Sequence, residues 1–157
     1  GSCACGSSST PAMDLAQGWF VADHAAGKSP RIPQASRLPR TAETEPPVAA
    51  VGITEAQARA SGCRVAVGRS EFRGLAQSVL CSETAGFVKV VTDADTGEIL
   101  GAHIIGPGAG ELIAQFQLAS EFEYTAFDFP EALGPVRSLG GAVSESVRDA
   151  RKSSSGL

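Results

Sequence analysis

The chain has 157 residues, 43% of them hydrophobic and 19% charged, with a net charge of −4. That length holds one domain with a core of ordinary size, and the mild acidity gives no basic footprint for nucleic acid. No apolar run approaches the roughly 20 residues that span a bilayer, and no basic-then-apolar start marks a secretory signal, so the expectation is a cytoplasmic chain without membrane contact, or a mitochondrial-matrix one if the source is eukaryotic.

Residues 1–12 are rich in Ser, Gly and Cys and read as a disordered tail. Cys3 and Cys5 form a CxC there, but with His24 they fall short of the four-ligand spacing of a zinc site, so no metal is expected. From Met13 to Gly27, Leu15, Trp19, Ala22 and Ala26 recur at helical spacing and Gly27 stands as a stop. Gly18 weakens that helix by roughly 1 kcal/mol relative to Ala. Lys28 to Pro47 holds five of the nine prolines and four basic residues. Proline lacks an amide donor and biases its predecessor to extended backbone, which predicts a linker or an edge-hugging segment. Residues 13–43 thus read as a helix followed by a Pro-rich arm.

Val48 to Ile53 reads as a strand. Thr54 and Gln57 have the spacing of a capping box for a short helix over Glu55–Ser61, ended by Gly62. Arg64 to Phe72 reads as a strand with Val65 and Val67 on one face, and Gly74 to Cys81 as a second strand or bulge. Cys63 and Cys81 read as small, buried, reduced thiols. Two apolar runs, Phe87–Val91 and Ile99–Ile105, flank a DADTG turn, with Asp95 as the capping side chain and Gly97 free to take positive φ. Phe87, Lys89 and Val91 share one face while Val88 and Val90 share the other, so the sheet is expected to be covered on both sides, by its own helices and by another domain or subunit.

Gly106-Pro107-Gly108 follows an antiparallel hairpin, with no acidic residue at the distance that holds a ribose, and reads as a strand-to-helix corner. Ala109 to Glu123 has Leu112, Ile113, Phe116 and Ala119 at i, i+3/i+4 spacing. Leu118 and Phe122 widen its apolar surface to a breadth that suits burial against two partners, and Glu111 complements the helix dipole.

The stretch Val48–Ile113, and above all GFVKVVTDADTGEILGAHIIGPGAGELI, resembles the C-terminal interface (dimerisation) domain of the pyridine nucleotide–disulfide oxidoreductases, most of all their dihydrolipoamide dehydrogenase branch. Thr44-Glu45-Pro46-Pro47-Val48 resembles that domain's TDPEVA opening, with Glu for Asp and a second Pro for Glu. The helix with its QG…A…AAG pattern resembles the one that closes the family's FAD domain. The resemblance implies an α+β fold, an antiparallel sheet of four to five strands with helices on one side, over residues 44–152, followed by a tail at 153–157. It implies a homodimer, or pairing with a full-length flavoprotein subunit. FAD and NAD(P) belong to the parent family, and no cofactor is expected in this chain. His103 matches a common strand histidine of the family and not its catalytic one. The matching family helix packs near the subunit interface, which makes Leu112, Phe116, Ala119 and Phe122 interface candidates.

The family's redox pair is spaced CxxxxC, and no such spacing occurs here. Family members also carry an HPTxSE motif near the end, whose His is the acid/base across the dimer and whose Glu orients it. Ser144-Glu145 matches the SE half. Counting back from Glu145 puts Gly140 at the His position, aligning on Pro135 puts Gly134 there, and no His follows His103. Glu145 is therefore expected to be the vestigial partner of a missing histidine. Three readings follow: a dimerisation module without redox chemistry, a stand-alone binding module of the same fold that recruits a flavoprotein or other partner, and an enzyme using Cys63 or Cys81. The last lacks an activating base, because Arg64 beside Cys63 points to the opposite face of a strand.

Overall fold

Alternation along Phe87–Asp93 sets the architecture. In a computed structural model, which describes residues 10–131, 135 and 137–155, that segment is a central strand with each face covered differently. Of the tail expected at residues 1–12, residues 1–9 with Cys3 and Cys5 lie outside the described residues, as do Gly134 and residues 156–157, while Pro11 and Ala12 belong to the first helix. Five strands, Arg40–Ala42 (β1), Val48–Gly52 (β2), Val65–Glu71 (β3), Phe87–Asp93 (β4) and Ile99–Ile105 (β5), pair antiparallel in the order β1-β2-β5-β4-β3. Helices Pro11–Ala25 (α1), Glu55–Ala60 (α2), Ala76–Leu80 (α3), Ala109–Glu121 (α4) and Gly140–Ser155 (α5) complete the α+β fold.

The register carries the alternation across the sheet. Val88 faces Ile104, which faces Ala49; Val90 faces Ala102, which faces Val51. All six are buried, and α4 and α5 lie over them on one side of the sheet. Fully burying one such Val or Ile side chain is worth about 1.5–3 kcal/mol, so this single face supplies much of the stability. Helix α5 sits on β3 at Gly68, where an added Cβ would lie 1.9 Å from the Ser146 carbonyl oxygen and 2.4 Å from the Ala150 nitrogen. The helix backbone rests on the strand backbone there, and only glycine leaves the room.

The other face carries Lys89, whose ammonium pairs with Glu55 of α2 at 2.7 Å. The short helix thus lies against the second face, with Ala58 fully buried. Its start is the expected capping box: Gln57 N–H donates to Thr54 Oγ1 at 3.2 Å, and Thr54 N–H donates to Gln57 Oε1 at 2.8 Å.

Several local expectations change. The segment read as a second strand over Gly74–Cys81 is a single 3-10 turn at Phe72–Gly74 followed by α3. Phe72, Leu75 and Ser78 are buried at a spacing of three, a helical period, while Val79 and Leu80 point to solvent. The hairpin turn is capped by Asp93 and not by Asp95: Asp93 Oδ1 accepts from the amides of Asp95 at 2.8 Å and Thr96 at 3.0 Å. A carboxylate at the first turn position reaches the amides two and three residues on, and those bonds hold its pKa below the usual range. Asp95 pairs instead with Arg64. Gly97 has the positive φ expected of it, 76°.

At the ends, α1 begins at Pro11 because Thr10 Oγ1 accepts from Met13 N–H at 3.3 Å and proline suits the first helical position. Its one buried residue is Met13; Leu15 and Trp19, which set the helical spacing, are 65% and 66% exposed. Strand β1 lies inside the stretch read as a Pro-rich arm, because Arg40-Thr41-Ala42 between Pro39 and Pro46 keeps its amides and pairs with β2. Residues 153–155, read as tail, continue α5.

Replacing Gly68 with Ala forces α5 off its seat. We expect a loss of about 3 kcal/mol in urea unfolding, at the upper end for overpacking, with an unchanged m-value. A stability equal to the parent chain would show that α5 is not held at this contact.

Candidate functional site

Helix α5 brings Ser144 and Glu145 to the sheet. Val143, Val147 and Ala150 are buried, and Glu145 stands on the exposed flank beside β3. Its Oε2 accepts from Ser70 Oγ at 2.8 Å. Ser144 is turned inward and its hydroxyl donates to the Gly141 carbonyl at 3.2 Å. Gly140 opens the helix and is buried, so the position that counts back to a catalytic base carries no side chain. Asp149 and Ser153, further along α5, bind the edge of β3: Arg69 N–H donates to Asp149 Oδ2 at 2.9 Å and Ser153 Oγ to the Val67 carbonyl at 3.3 Å.

His103 lies in the strand, as expected, with Nε2 3.3 Å from the Ile53 carbonyl. Its register partner is Lys89, on the face away from α5, so the sheet separates it from Glu145. The chain's only other histidine, His24, is exposed on α1 and stacked on Phe20. Glu145 therefore orients a serine hydroxyl and no imidazole. An acid–base pair is not assembled by the described residues.

Helix α4 has two faces with different fates. Leu112, Ile113, Phe116 and Ala119 are buried against the sheet, and Phe116 packs on Phe129 with ring centroids 5.9 Å apart. Leu112, Phe116 and Ala119, named above as interface candidates, are thus core of this chain: the face at their spacing is the one the sheet takes. Phe122 keeps a free surface. The helix ends at Glu121, two residues before the expected Glu123, and Phe122 is its C-cap, 63% exposed. Around it Leu118, Tyr124 and Phe127 are 57%, 50% and 59% exposed. The Phe122 and Tyr124 rings stack with centroids 6.0 Å apart. Beside them Leu118, Ala119, Tyr124, Phe129 and Pro130 line a shallow, mainly apolar cleft of about 290 Å³.

Arg151 of α5 braces that cleft from behind. Its guanidinium donates to the Ala126 carbonyl at 2.6 Å and the Phe129 carbonyl, and pairs with Glu131 at 2.9 Å. Tyr124 and Phe127 were not singled out from the sequence. The signal was present as alternating aromatics in FEYTAF, beyond the last helical turn.

The cysteines do not match their expected burial. Cys63 is half-buried and Cys81 exposed; their contacts are the Ser61 hydroxyl at 3.4 Å and the Gln77 amide at 3.1 Å. Neither contact is a base. The turn Gly106–Gly108 is a strand-to-helix corner: Gly106 N–H donates to the Pro47 carbonyl at 2.9 Å, and Gly108 at φ 66° is the N-cap of α4. The space above Gly106 is taken by the Phe72 ring, 2.6 Å from where a Cβ would sit, so this turn does not fit a dinucleotide phosphate. Among the described residues no helix is long and apolar enough to cross a membrane, and no group of three or more His, Cys, Asp or Glu side chains is placed to hold a metal ion.

Comparison with known proteins gives the fold its relatives. The profile of the family described as "Pyridine nucleotide-disulphide oxidoreductase, dimerisation domain" matches residues 38–147. Dihydrolipoyl dehydrogenase of Bacillus subtilis is 32% identical over 131 residues, 83% of this chain and 28% of the relative. The dihydrolipoyl dehydrogenase of Chlorobaculum tepidum is 40% identical over 128 residues, 82% of this chain and 27% of the relative. Among solved structures, LpdA from Mycobacterium tuberculosis superposes with a TM-score of 0.78 at 26% identity, covering 84% of this chain and 29% of that one. The flavoprotein disulfide reductase RclA of Escherichia coli shares the fold, with a TM-score of 0.75 at 21% identity over 83% of this chain and 30% of that one. The chain spans less than a third of the length of these relatives.

Burial holds the pKa of His103 below its ordinary value, and the cations Lys89 and Arg40 act in the same direction against the Ile53 carbonyl. Its contribution to stability is complete above the unfolded value near 6.5 and is lost as pH falls through the lower folded value. Glu55, held down first by Lys89 and then by Arg59, acts in a separate window below about pH 5. Urea unfolding at pH 7.5 and pH 5 should show the parent chain losing more stability than His103→Gln. Equal losses in the two proteins would remove His103 as the cause.

Proposed function

The chain belongs to the dimerisation-domain family of the pyridine nucleotide-disulphide oxidoreductases, and from that premise we propose that it pairs subunits through the outer side of α4 and the turn after it. The observation that carries this reading is the exposed set Leu118, Phe122, Tyr124 and Phe127 beside an apolar cleft. Large apolar patches rimmed by polar residues on a folded domain mark interaction sites, and aromatic anchors dominate their energetics. The patch is suited to an isologous contact, in which each copy offers ring and cleft to the other.

The same surface suits a full-length flavoprotein subunit of dihydrolipoyl dehydrogenase type. A second reading has the chain as a binding module that recruits such a subunit, and the exposed Leu15 and Trp19 of α1 favour it, since they offer a further apolar surface outside the sheet domain. FAD and NAD(P) belong to the family's other domains, and the chain holds neither in this proposal. Redox catalysis by the chain alone is disfavoured by the separation of His103 from Glu145 and by the base-free contacts of Cys63 and Cys81. The half-buried and exposed thiols, unlinked to each other, fit a reducing compartment such as the cytoplasm.

Light scattering should return a dimer of the chain, or a complex when a full-length dihydrolipoyl dehydrogenase subunit is supplied. Leu118→Asp and Phe122→Asp should each weaken that association by roughly 10- to 100-fold, which is about 1.4–2.8 kcal/mol, and leave the circular dichroism spectrum unchanged. Phe116→Asp, in the core, should unfold the chain. A monomer that ignores both partners at high micromolar concentration would end the proposal.

A further inference from the structure

The face of the sheet away from α4 and α5 is organised in rows. The pairing register places Arg40, Ala50, His103, Lys89 and Arg69 side by side across β1, β2, β5, β4 and β3. The row two residues along holds Ala42, Val48, Ile105, Phe87 and Glu71 in the same strand order. The row on the other side holds Gly52, Gly101, Val91 and Val67, of which Val91 is fully buried. Helix α2, tied to Lys89 by Glu55, lies over the sheet here; Ala42 and Val48 stay exposed, and Ile105 and Phe87 are only half-buried. A row with cations on β1, β4 and β3 thus runs beside a row that is apolar from β1 to β4 and ends at Glu71 on β3.

The charges on this face oppose the balance of the chain. Lys89 and Arg69 on the row, with Arg59 and Arg73 at its rim, pair with two carboxylates, Glu55 and Glu71, while Arg40 donates to the Gly52 carbonyl at 3.1 Å. Glu55 is shared by Lys89 and Arg59, and Glu71 by Arg69 and Arg73. Positive charge is left over on a molecule whose net charge is −4. Glu43 and Glu45 stand in the β1–β2 connection, past the Ala42–Val48 end of the apolar row. The Arg69 guanidinium lies 3.9 Å over the Phe87 ring and so marks where the two rows touch. Its side chain remains 53% exposed, free to meet an anion from above.

We propose that this outer face is a docking surface for an acidic amphipathic helix of another protein, its apolar side on the Val48–Ile105–Phe87 row and its carboxylates over Arg40, Lys89 and Arg69. The dimensions agree. Five strands at about 4.8 Å spacing set the row at roughly 19 Å, the length of a helix of about 13 residues. A helix laid in this way keeps its two chemistries on adjacent flanks, as amphipathic partner helices do. A face of mixed charge and apolar area also suits a polypeptide better than a small ligand, which requires a concave site.

His103 sits in the cationic row and reports directly on an anion placed there, while His24 on α1 serves as the internal control. The probe is a synthetic acidic helix of about 14 residues with leucines at i, i+3/i+4 spacing and glutamates on the flank. A second peptide has lysine for every glutamate, and phosphatidylserine-rich vesicles form the third arm. Imidazole proton resonances should show the acidic peptide moving His103 alone, with binding that weakens as salt is raised. Arg40→Glu combined with Arg69→Glu should lower the affinity at least about tenfold. If that variant fails to fold, Arg69→Gln and the salt series on the parent chain carry the same test. The Phe122→Asp chain should bind the acidic peptide normally, which separates this surface from the subunit-pairing one. Equal binding of the lysine peptide, an unmoved His103, or binding of the vesicles but not the peptide would overturn the proposal.

Discussion

The rest of the molecule depends on a strand that is apolar on both faces. In β4, Val88 and Val90 point to α4 and α5, while Phe87, Lys89 and Val91 point the other way, and the register copies this division into β3, β5 and β2. A sheet with two apolar faces must find two covers. One is provided in full by the long helices, which come close enough to require bare backbone at Gly68. The other is provided in part by α2, whose capping box fixes where it starts and whose Glu55 fixes it to Lys89. The incomplete second cover gives the chain a surface with a defined chemistry.

Helix α4 shows how far periodicity reads and where it stops. Leu112, Ile113, Phe116 and Ala119 were legible as an apolar stripe, and the stripe is real. Periodicity names a buried face without naming what buries it. The sheet of the same chain takes that face, and the apolar residues left exposed are the ones that interrupt the period, Leu118 and Phe122, with Tyr124 and Phe127 beyond the helix end. The hairpin, the α2 cap and the strand-to-helix corner at Gly106–Gly108 were legible because each rests on contacts within a few residues.

What the sequence hid was set by longer-range packing. The α3 segment has Leu75, Val79 and Leu80, which suit a strand, yet Phe72, Leu75 and Ser78 are drawn inward three apart and the chain coils to present them. The stripe on α1 has the opposite history: a clear helical period whose Leu15 and Trp19 find nothing within the sheet domain to pack on. β1 was masked by the prolines around it, since three proline-free residues suffice to pair when β2 already offers an edge.

The region around Glu145 separates scaffold from chemistry. An orienting carboxylate works only when a base stands within hydrogen-bond reach of it. Here Gly140 occupies the counted position, His103 is across the sheet, and Glu145 has a serine partner on β3. The neighbouring side chains of α5 bind the same strand: Asp149 holds the Arg69 amide and Ser153 the Val67 carbonyl. Those bonds satisfy backbone groups on the edge of β3 that would otherwise be open to another strand. The face of α5 that carries the Ser-Glu pair therefore has a structural task independent of any acid–base role. It seals one edge of the sheet, which leaves the outer side of α4 and the outer sheet face as the exposed apolar surfaces of the domain.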